Sequence, residues 1–459
     1  MFKKNLFVLC VGCLVLTSCV NVQQKENLFD GNADKWLTEN AVNVSDSLIR
    51  IGQNGKMVSK NEYTNFDLWV TAKTVGNGNG EIRFHTDDNG NGGYAVALNN
   101  DLETSQWWTK TGSLLAVRNL TKSIAKNNEW FDVRLNVHGK KISVWVNDEL
   151  LVEYIEPANP YRAPENAGQI LSAGKLAIVG TEGEIEIKSI EIQRLKADDS
   201  LIESQLADAV DESTDDIIKL HQANFPVLDY HVHLKENLTL DLAKSQSRKY
   251  GINYALAPNC GIGFPITNDA QVVEYFESMK GQPFVQAMQG EGREWPETFS
   301  PEVREMFDYV FTDAMTFVDR KGNRTRLWIP EEVFIDDEQD YMDLIVEKIV
   351  EVMKEPMDVY VNPTFLPDAM NDRYDEFWTD ARQDKVIEAL LANGQALEIN
   401  HRYEIPNQSF IQKAKDAGIK FTFGTNNTDA DFGKLEYCIQ MMKACGITAE
   451  DMYKPNMTE

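Results

Sequence analysis

An all-β sandwich of jelly-roll type followed by a (β/α) barrel, a two-domain β plus α/β chain, is the fold class this sequence predicts. Three observations predict it. From about residue 27 to 195, apolar and polar residues alternate in short runs parted by Gly- and Asn-rich turns. From about 225 onward, strand-like runs are separated by stretches of helical spacing. Between the two regions, residues 196–224 are acidic and helically spaced, which reads as a linker helix.

The chain opens with MFKKNLFVLCVGCLVLTSC. Lys3 and Lys4 precede an apolar core from Leu6 to Leu16, followed by small residues. At roughly a dozen residues the core is too short to cross a bilayer, so residues 1–18 read as a secretory signal peptide. Leu16-Thr17-Ser18-Cys19 resembles a bacterial lipobox. The resemblance implies cleavage before Cys19, lipidation of Cys19, and a membrane anchor of several acyl chains. Val20-Asn21 follows, with no Asp at the second mature position, which by the same resemblance implies the outer membrane. Cys10 and Cys13 leave with the signal. Cys438 and Cys445 share a helical stretch and would lie about 10 Å apart, too far to bridge. No disulfide framework is expected, and without a Cys-x-x-Cys pair neither is a thiolate zinc site. Acidic residues outnumber basic ones 72 to 45, for a net charge of −27. That excludes nucleic acid as a partner, since phosphate contacts need clustered Lys and Arg.

The clearest part of the first unit, residues 27–195, is WFDVRLNVHGKKISVWVND. Val133, Leu135 and Val137 share one face, and Ile142, Val144 and Val146 share that of a partner strand. His138-Gly139-Lys140 is the turn, and Trp145 is core or a sheet-face aromatic. KLAIVGTEGEIEIKSIEIQRL predicts two more strands, burying Ile185, Ile187, Ile190 and Ile192. Asp87-Asp88-Asn89-Gly90-Asn91-Gly92 reads as a hairpin loop, not a calcium loop, because the twelfth position is Leu98. Trp107 and Trp108, in the polar stretch QWWTKTG, are candidates for stacking on a sugar ring, with buried edge core as the alternative.

The order LFDG with Trp36, FDLWV, EIRFHTDDNGNGGYAVAL, TGSLLAV, the hairpin and IEIKSIEIQRL resembles the 3-keto-disaccharide hydrolase domain, a concanavalin-like jelly roll. The resemblance implies a carbohydrate-related role and glycosidase activity on oxidised sugars. Two positions depart from the family pattern. A Gly-Tyr-Glu reads Gly93-Tyr94-Ala95, and an Arg before it is His85, which removes a carboxylate that hydrolysis would use.

Within 196–224, the stretch from 198 to 216 lacks a dense apolar stripe and is expected to be accessible to cleavage. His221 reads as a surface or interdomain residue.

The second unit, 225–459, begins with the strand FPVLDYHVHL. Asp229, His231 and His233 alternate along it and point one way at its C-terminal end, where a barrel carries its site. Two imidazoles so spaced can reach one metal ion, with Asp229 serving nearby. INYALAPN, PFVQAMQGEG, FDYVFTDAMTF, MDVYVNPT, QALEINHR and IKFTFGTNN follow as strands. No Gly-x-Gly-x-x-Gly opens a helix, so a nucleotide site has no support.

DYHVHL, GEGREW, ALEINHRYEIP and IKFTFGTNNTDADFG, in this order, resemble the motifs of the polymerase-and-histidinol-phosphatase (PHP) family of metal-dependent hydrolases. The resemblance implies a metal-bridging role for Glu291. Departures are many. A second-strand Asp-His reads Asn259-Cys260, a Ser-x-His reads Asp313-Ala314-Met315, a His-Pro reads Asn362-Pro363, and a final Asp-x-His reads Asn426-Asn427-Thr428. A trinuclear site cannot be built in the family's way. His231, His233 and Glu291 remain as a minimal set for one divalent ion, zinc or manganese, with Asp313 and Asp431 as possible additions and His401 a lesser candidate because it follows Asn400 on the opposite strand face. Glu291, Glu398 and Asp229 are the candidate catalytic groups. Arg293, Asn400, Arg402 and Asn427, together with Trp107 and Trp108, are candidate substrate contacts.

Two functions stay open at this level. One is an envelope lipoprotein that is a mononuclear metal-dependent hydrolase or lyase of glycosides or 3-keto sugars. The other is a non-catalytic glycan-binding lipoprotein with two degenerate enzyme domains.

Overall fold

The structure, a computed structural model, describes residues 24–457. The signal peptide 1–18 and Cys19 lie outside the described residues. Among the described residues, no helix is long and apolar enough to cross a membrane.

The N-terminal unit is an 11-stranded antiparallel sheet folded over itself as a sandwich. Its spine is two strands of 21 residues each, Phe66–Thr86 and Gly174–Arg194, paired with several register shifts. KLAIVGTEGEIEIKSIEIQRL is thus one long strand where two were expected. Gly183, at φ +53°, absorbs the bend that a turn would have made. Ile185, Ile187, Ile190 and Ile192 are buried as expected. The hairpin also holds: Val133, Leu135 and Val137 pair with Val146, Val144 and Ile142. Trp145 lies on the outer sheet face under the Arg134 guanidinium, 4.5 Å from its ring centre.

The C-terminal unit is a nearly closed barrel of parallel strands with helices outside. Seven of its eight strands, in chain and spatial order, are Leu228–Val232, Asn253–Leu256, Val285–Gly290, Tyr309–Thr312, Val359–Tyr360, Ala396–Asn400 and Phe421–Gly424, and the short Asn259–Cys260 pairs beside Val285–Gly290. All are buried throughout, as strands covered on both faces must be. FDYVFTDAMTF supplies the fourth and then departs into a small hairpin, Thr316–Val318 with Arg324–Arg326. The ring is drawn together where the Asn426 amide donates to the His231 carbonyl at 2.9 Å. Helix Leu240–Tyr250 illustrates how the sequence sets the outer layer. The Thr239 side chain caps its start, and Gly251 ends it in the left-handed region.

The segment between the units is more than a tether. It forms two helices, Asp199–Asp208 and Asp216–Gln222. The first buries nothing, and accessibility is as expected there. Further on the expectation fails. Glu212 is 2% exposed and accepts from the Tyr154 hydroxyl, the Tyr161 amide and Arg162. Ile218 sits in the sandwich core, while Leu220 and Phe225 sit in the barrel core. His221 is fully buried between the units. Its Nε2–H donates to the Gly251 carbonyl at 2.8 Å, and its Nδ1 accepts from the Asn119 amide at 3.4 Å.

Trp107 and Trp108 require a correction. Both are buried and belong to the barrel's apolar cluster, and Trp108 Nε1 donates to Asn224 Oδ1 at 3.0 Å. The connection between strands Tyr94–Asn99 and Phe131–His138 packs Leu114, Val117 and Leu120 into the sandwich core and lays these indoles on the barrel. They join the two units and offer no face to a sugar ring.

Candidate functional site

At the C-terminal end of the first barrel strand, Asp229 and His231 point inward, as the period of two requires. Asp229 accepts from the Thr425 amide at 3.0 Å and its own His231 amide at 3.2 Å, and its second oxygen takes the Thr425 hydroxyl. Both oxygens are engaged and the side chain is fully buried, so Asp229 joins the first strand to the last and is not placed as a catalytic group. Burial pushes its carboxyl above the usual range.

His231 Nδ1 lies 2.6 Å from Glu398 Oε1, with both side chains 1% exposed. Since the carboxylate can only accept, Nδ1 carries a proton, and in the neutral ring Nε2 holds the lone pair. That Nε2 is buried and has no hydrogen-bond partner. His233 repeats the arrangement: Nδ1 donates to the Ala257 carbonyl at 2.7 Å, leaving Nε2 with a lone pair. Burial drives its pKa well below the ordinary value, with repulsion from His231 adding to the effect. The two rings stand 5.0 Å apart, 80° to one another. Carboxylate-to-imidazole contacts of this kind fix the tautomer and orientation of metal-ligating histidines.

Glu398 is spoken for. Its Oε2 accepts from the Asn362 amide at 2.7 Å and from Asn400 Nδ2 at 2.9 Å. It is a positioning residue for His231 and has no oxygen left for proton transfer. Asn400, fully buried, also donates to Asn362 Oδ1 at 3.1 Å, so it supports the network from below. Asn362 in turn receives Asn426 Nδ2 at 2.7 Å and donates to Asp313 Oδ2 at 2.9 Å.

Glu291 closes the third strand, at the mouth. Asn259 Nδ2 donates to its Oε1 at 2.6 Å. Burial, reinforced by the Asp313 carboxylate, pushes its pKa upward. Lys235 lies close enough to oppose that shift, while its own pKa is lowered by burial. A carboxyl that keeps its proton at neutral pH suits a general acid. Gly290 leaves room for an indole: a Cβ there would lie 2.5 Å from the Trp295 ring.

Other expected residues fall elsewhere. His401 Nδ1 accepts from the Tyr437 amide at 3.3 Å, and Nε2 lies 3.7 Å from Glu436. It faces the helix Glu436–Cys445, as its place on the opposite strand face demands, and is not placed to bind a metal with His231. Asn427 is used by the backbone: Oδ1 accepts from the His233 amide and Nδ2 donates to the His233 carbonyl. Arg293 is held by Glu355, Thr312 and the Asp313 carbonyl, with only Nε unpartnered. Arg402 is exposed at the rim, with Nη1 3.3 Å from the Asn426 carbonyl. Lys235 and Gly424 were missed, and Asn362 was noted only as a departure from the family's His-Pro. Lys235, two residues beyond the second histidine, could have been found from its nearness in sequence. Nothing local marks Gly424.

Two inward imidazole nitrogens with fixed tautomers fit half of a zinc-type ligand shell. A third ligand is not gathered: among the described residues, no group of three or more His, Cys, Asp or Glu is arranged to hold an ion. Beside His233 and Lys235 lies a pocket of about 180 Å³ lined also by Asn259, Ile266 and Tyr275.

The described residues therefore define a β-sandwich joined to a parallel barrel whose strand ends gather histidine, carboxylate and amide groups. Residues 24–193 match a family described as the 3-keto-alpha-glucoside-1,2-lyase-like domain, a span of less than half the chain. No curated protein matches. Among solved structures, a candidate glycosyl hydrolase from Parabacteroides distasonis is 19% identical, covering 38% of this chain and 94% of that one at a TM-score of 0.34. The carbohydrate-binding module CBM66 from Bacillus subtilis is 13% identical over 35% of this chain and 92% of that one, at a TM-score of 0.26. The Ca2+/Man3GlcNAc-bound exoplasmic/lumenal domain of VIP36 is 14% identical over 39% and 92%, at 0.28. At such TM-scores these likenesses place no functional residue.

Proposed function

We propose that this chain is an envelope lipoprotein, anchored through Cys19 in the outer membrane, that acts on carbohydrate-derived substrates at the mouth of its barrel as a mononuclear metal-dependent hydrolase or lyase of glycosides or 3-keto sugars. The family match of residues 24–193 supports the carbohydrate class. The observation that carries the reaction class is the buried His231 Nε2, left without a partner while Glu398 holds Nδ1. His231 and His233 would hold one divalent ion, and Glu291 would complete the set by a side-chain movement. Such an ion polarises a carbonyl or lowers the pKa of a bound water. The chain's own groups divide the remaining work. Glu398 orients His231, and Lys235 and Arg402 offer positive charge at the rim.

A second reading, capture of glycans without catalysis, is favoured by the missing third ligand and by the amides of Asn259, Asn362 and Asn426 where the PHP pattern has acidic or imidazole groups. Asn hydrogen-bonds hydroxyls well and binds transition metals poorly.

The test is metal content of protein purified without chelator, wild type against His231→Ala, His233→Ala and Glu291→Ala, with turnover of a 3-keto glycoside panel. Stoichiometric zinc or manganese, lost in the variants and accompanied by turnover, is the expected result. A wild-type chain that binds no metal ends the enzyme reading in this form. Fractionation of Cys19→Ala against wild type tests the anchor, which fails if the variant stays with membranes.

A further inference from the structure

The barrel has a second concave site at the end opposite His231. Helix Asp269–Met279 leads through Lys280 and Gln282 into strand Val285–Gly290, whose start carries Gln286. Against this end lies the sandwich connection that bears Trp107 and Trp108. The cleft between them holds about 210 Å³ and is lined by Lys110, Lys122, Lys126, Lys280, Gln282 and Gln286, with Ile124 and Phe276 among the apolar walls.

Three observations make it a built site. The first is charge. In a chain of net charge −27, the cleft is lined by four lysines and no carboxylate. Lys122 is neutralised by Asp308 at 2.9 Å and Lys280 faces Glu277 at 3.7 Å, whereas Lys126 stands exposed at the rim. The second is Lys110, only 1% exposed. Its Nζ donates to the Asp101 carbonyl, which uses one of three ammonium protons. Burial pulls it down to about 8, against the attraction of Asp101 and Glu103 and helped by repulsion from Lys454. A buried ammonium with two donor protons left over gains from a further acceptor. The third is the pair of amides. Gln286 is 6% exposed, and its Oε1, like that of Gln282, is buried without a partner. Folding leaves such groups unpaired at a cost in stability, and hydroxyl donors would pair them.

We infer that this cleft is a second ligand site, built for a small acidic sugar derivative, with the lysines taking its carboxylate or phosphate and the glutamine amides its hydroxyls. The volume suits one ring rather than a chain of them, and the apolar walls suit a sugar's C–H face. The inference does not depend on the barrel mouth.

The test is calorimetric titration of the full chain with glucuronate, glucose 6-phosphate, inorganic phosphate and glucose. Binding of either sugar acid, with glucose silent and phosphate weaker, is expected, and which acid binds assigns the anion. Lys126→Ser and Gln286→Leu should each weaken it about tenfold, the equivalent of ~1.4 kcal/mol, while His231→Ala leaves it unchanged. Lys126 is exposed, and leucine at 286 removes an unpaired buried amide, so both variants are expected to keep the wild-type melting curve. The inference is overturned if neither acid binds, if inorganic phosphate binds as tightly as the phosphosugar, if both cleft variants bind normally, or if His231→Ala abolishes the response.

Discussion

Gly424 faces the Glu398 carboxylate at a distance that admits no side chain. A Cβ there would stand 2.2 Å from Glu398 Oε1 and 2.9 Å from His231 Cβ. The last strand thus contributes empty space to the contact that fixes His231. Gly424→Ala must displace Glu398 or the strand, and overpacking of this kind costs about 1–3 kcal/mol. We expect the variant to unfold at lower denaturant and to lose whatever metal the wild type holds. Unchanged stability with full metal content would show that Glu398 does not need its present position. The histidine pair was legible in the sequence because the period of two on a strand fixes its direction. The acceptor of His231 was not. Glu398 lies 167 positions away, and only barrel closure brings it to 2.6 Å. His401 was readable by the same parity rule, which places it on the opposite strand face from Asn400, and its contact with Tyr437 lies on that far side.

At the scale of elements, strands and helices were legible where periodicity is local, as in Phe131–His138 or Glu338–Val352. The helix Asp216–Gln222 was misjudged for a physical reason: seven residues carry too few apolar positions to reveal that both faces are covered. Its buried His221 makes the joint acid-sensitive. Burial, with repulsion from Arg118, pulls the imidazole down to about 3. Protonation would add a hydrogen at Nδ1, facing the Asn119 amide that donates there. Between about pH 6.5 and pH 3 the unfolded chain takes up a proton at this site that the folded chain refuses. Its contribution to stability is therefore complete above about 6.5 and is lost as pH falls toward 3, at about 1.4 kcal/mol per pH unit. His85, pulled down to about 4 by burial, acts the same way inside the sandwich. His221→Gln keeps a donor for Gly251 and cannot titrate. Denaturation between pH 7 and pH 4 should show a shallower decline for this variant than for wild type, and parallel curves would remove His221 from the acid response.

At the scale of the whole molecule, the two units share an interface that composition gave no reason to expect. Trp108 bonds Asn224, Arg118 donates to the Lys249 carbonyl at 3.0 Å, and Asn253 takes the Thr121 amide at 3.2 Å while donating to the Asn119 carbonyl at 2.8 Å. Arg248 and Lys244 on the barrel's first helix reach Glu153 and Glu149 of the sandwich at 3.2 and 2.9 Å. The exposed pairs contribute little on their own, but the buried indoles and backbone contacts remove apolar and polar surface together, as a domain core does. Covalent continuity then matters less than this interface. The helix Asp199–Asp208 buries no side chain, so a protease cutting acidic sites should nick there first. Glu212, anchored by Tyr154, Tyr161 and Arg162, lies beyond the nick and stays with the barrel fragment. The nicked halves should therefore elute together at the mass of the intact chain and melt in one transition. Trp108→Ala, at about 3–5 kcal/mol for a buried indole, should make the nicked halves separate. Wild-type halves that part on native chromatography, or melt independently, would return the units to the status of beads on a tether.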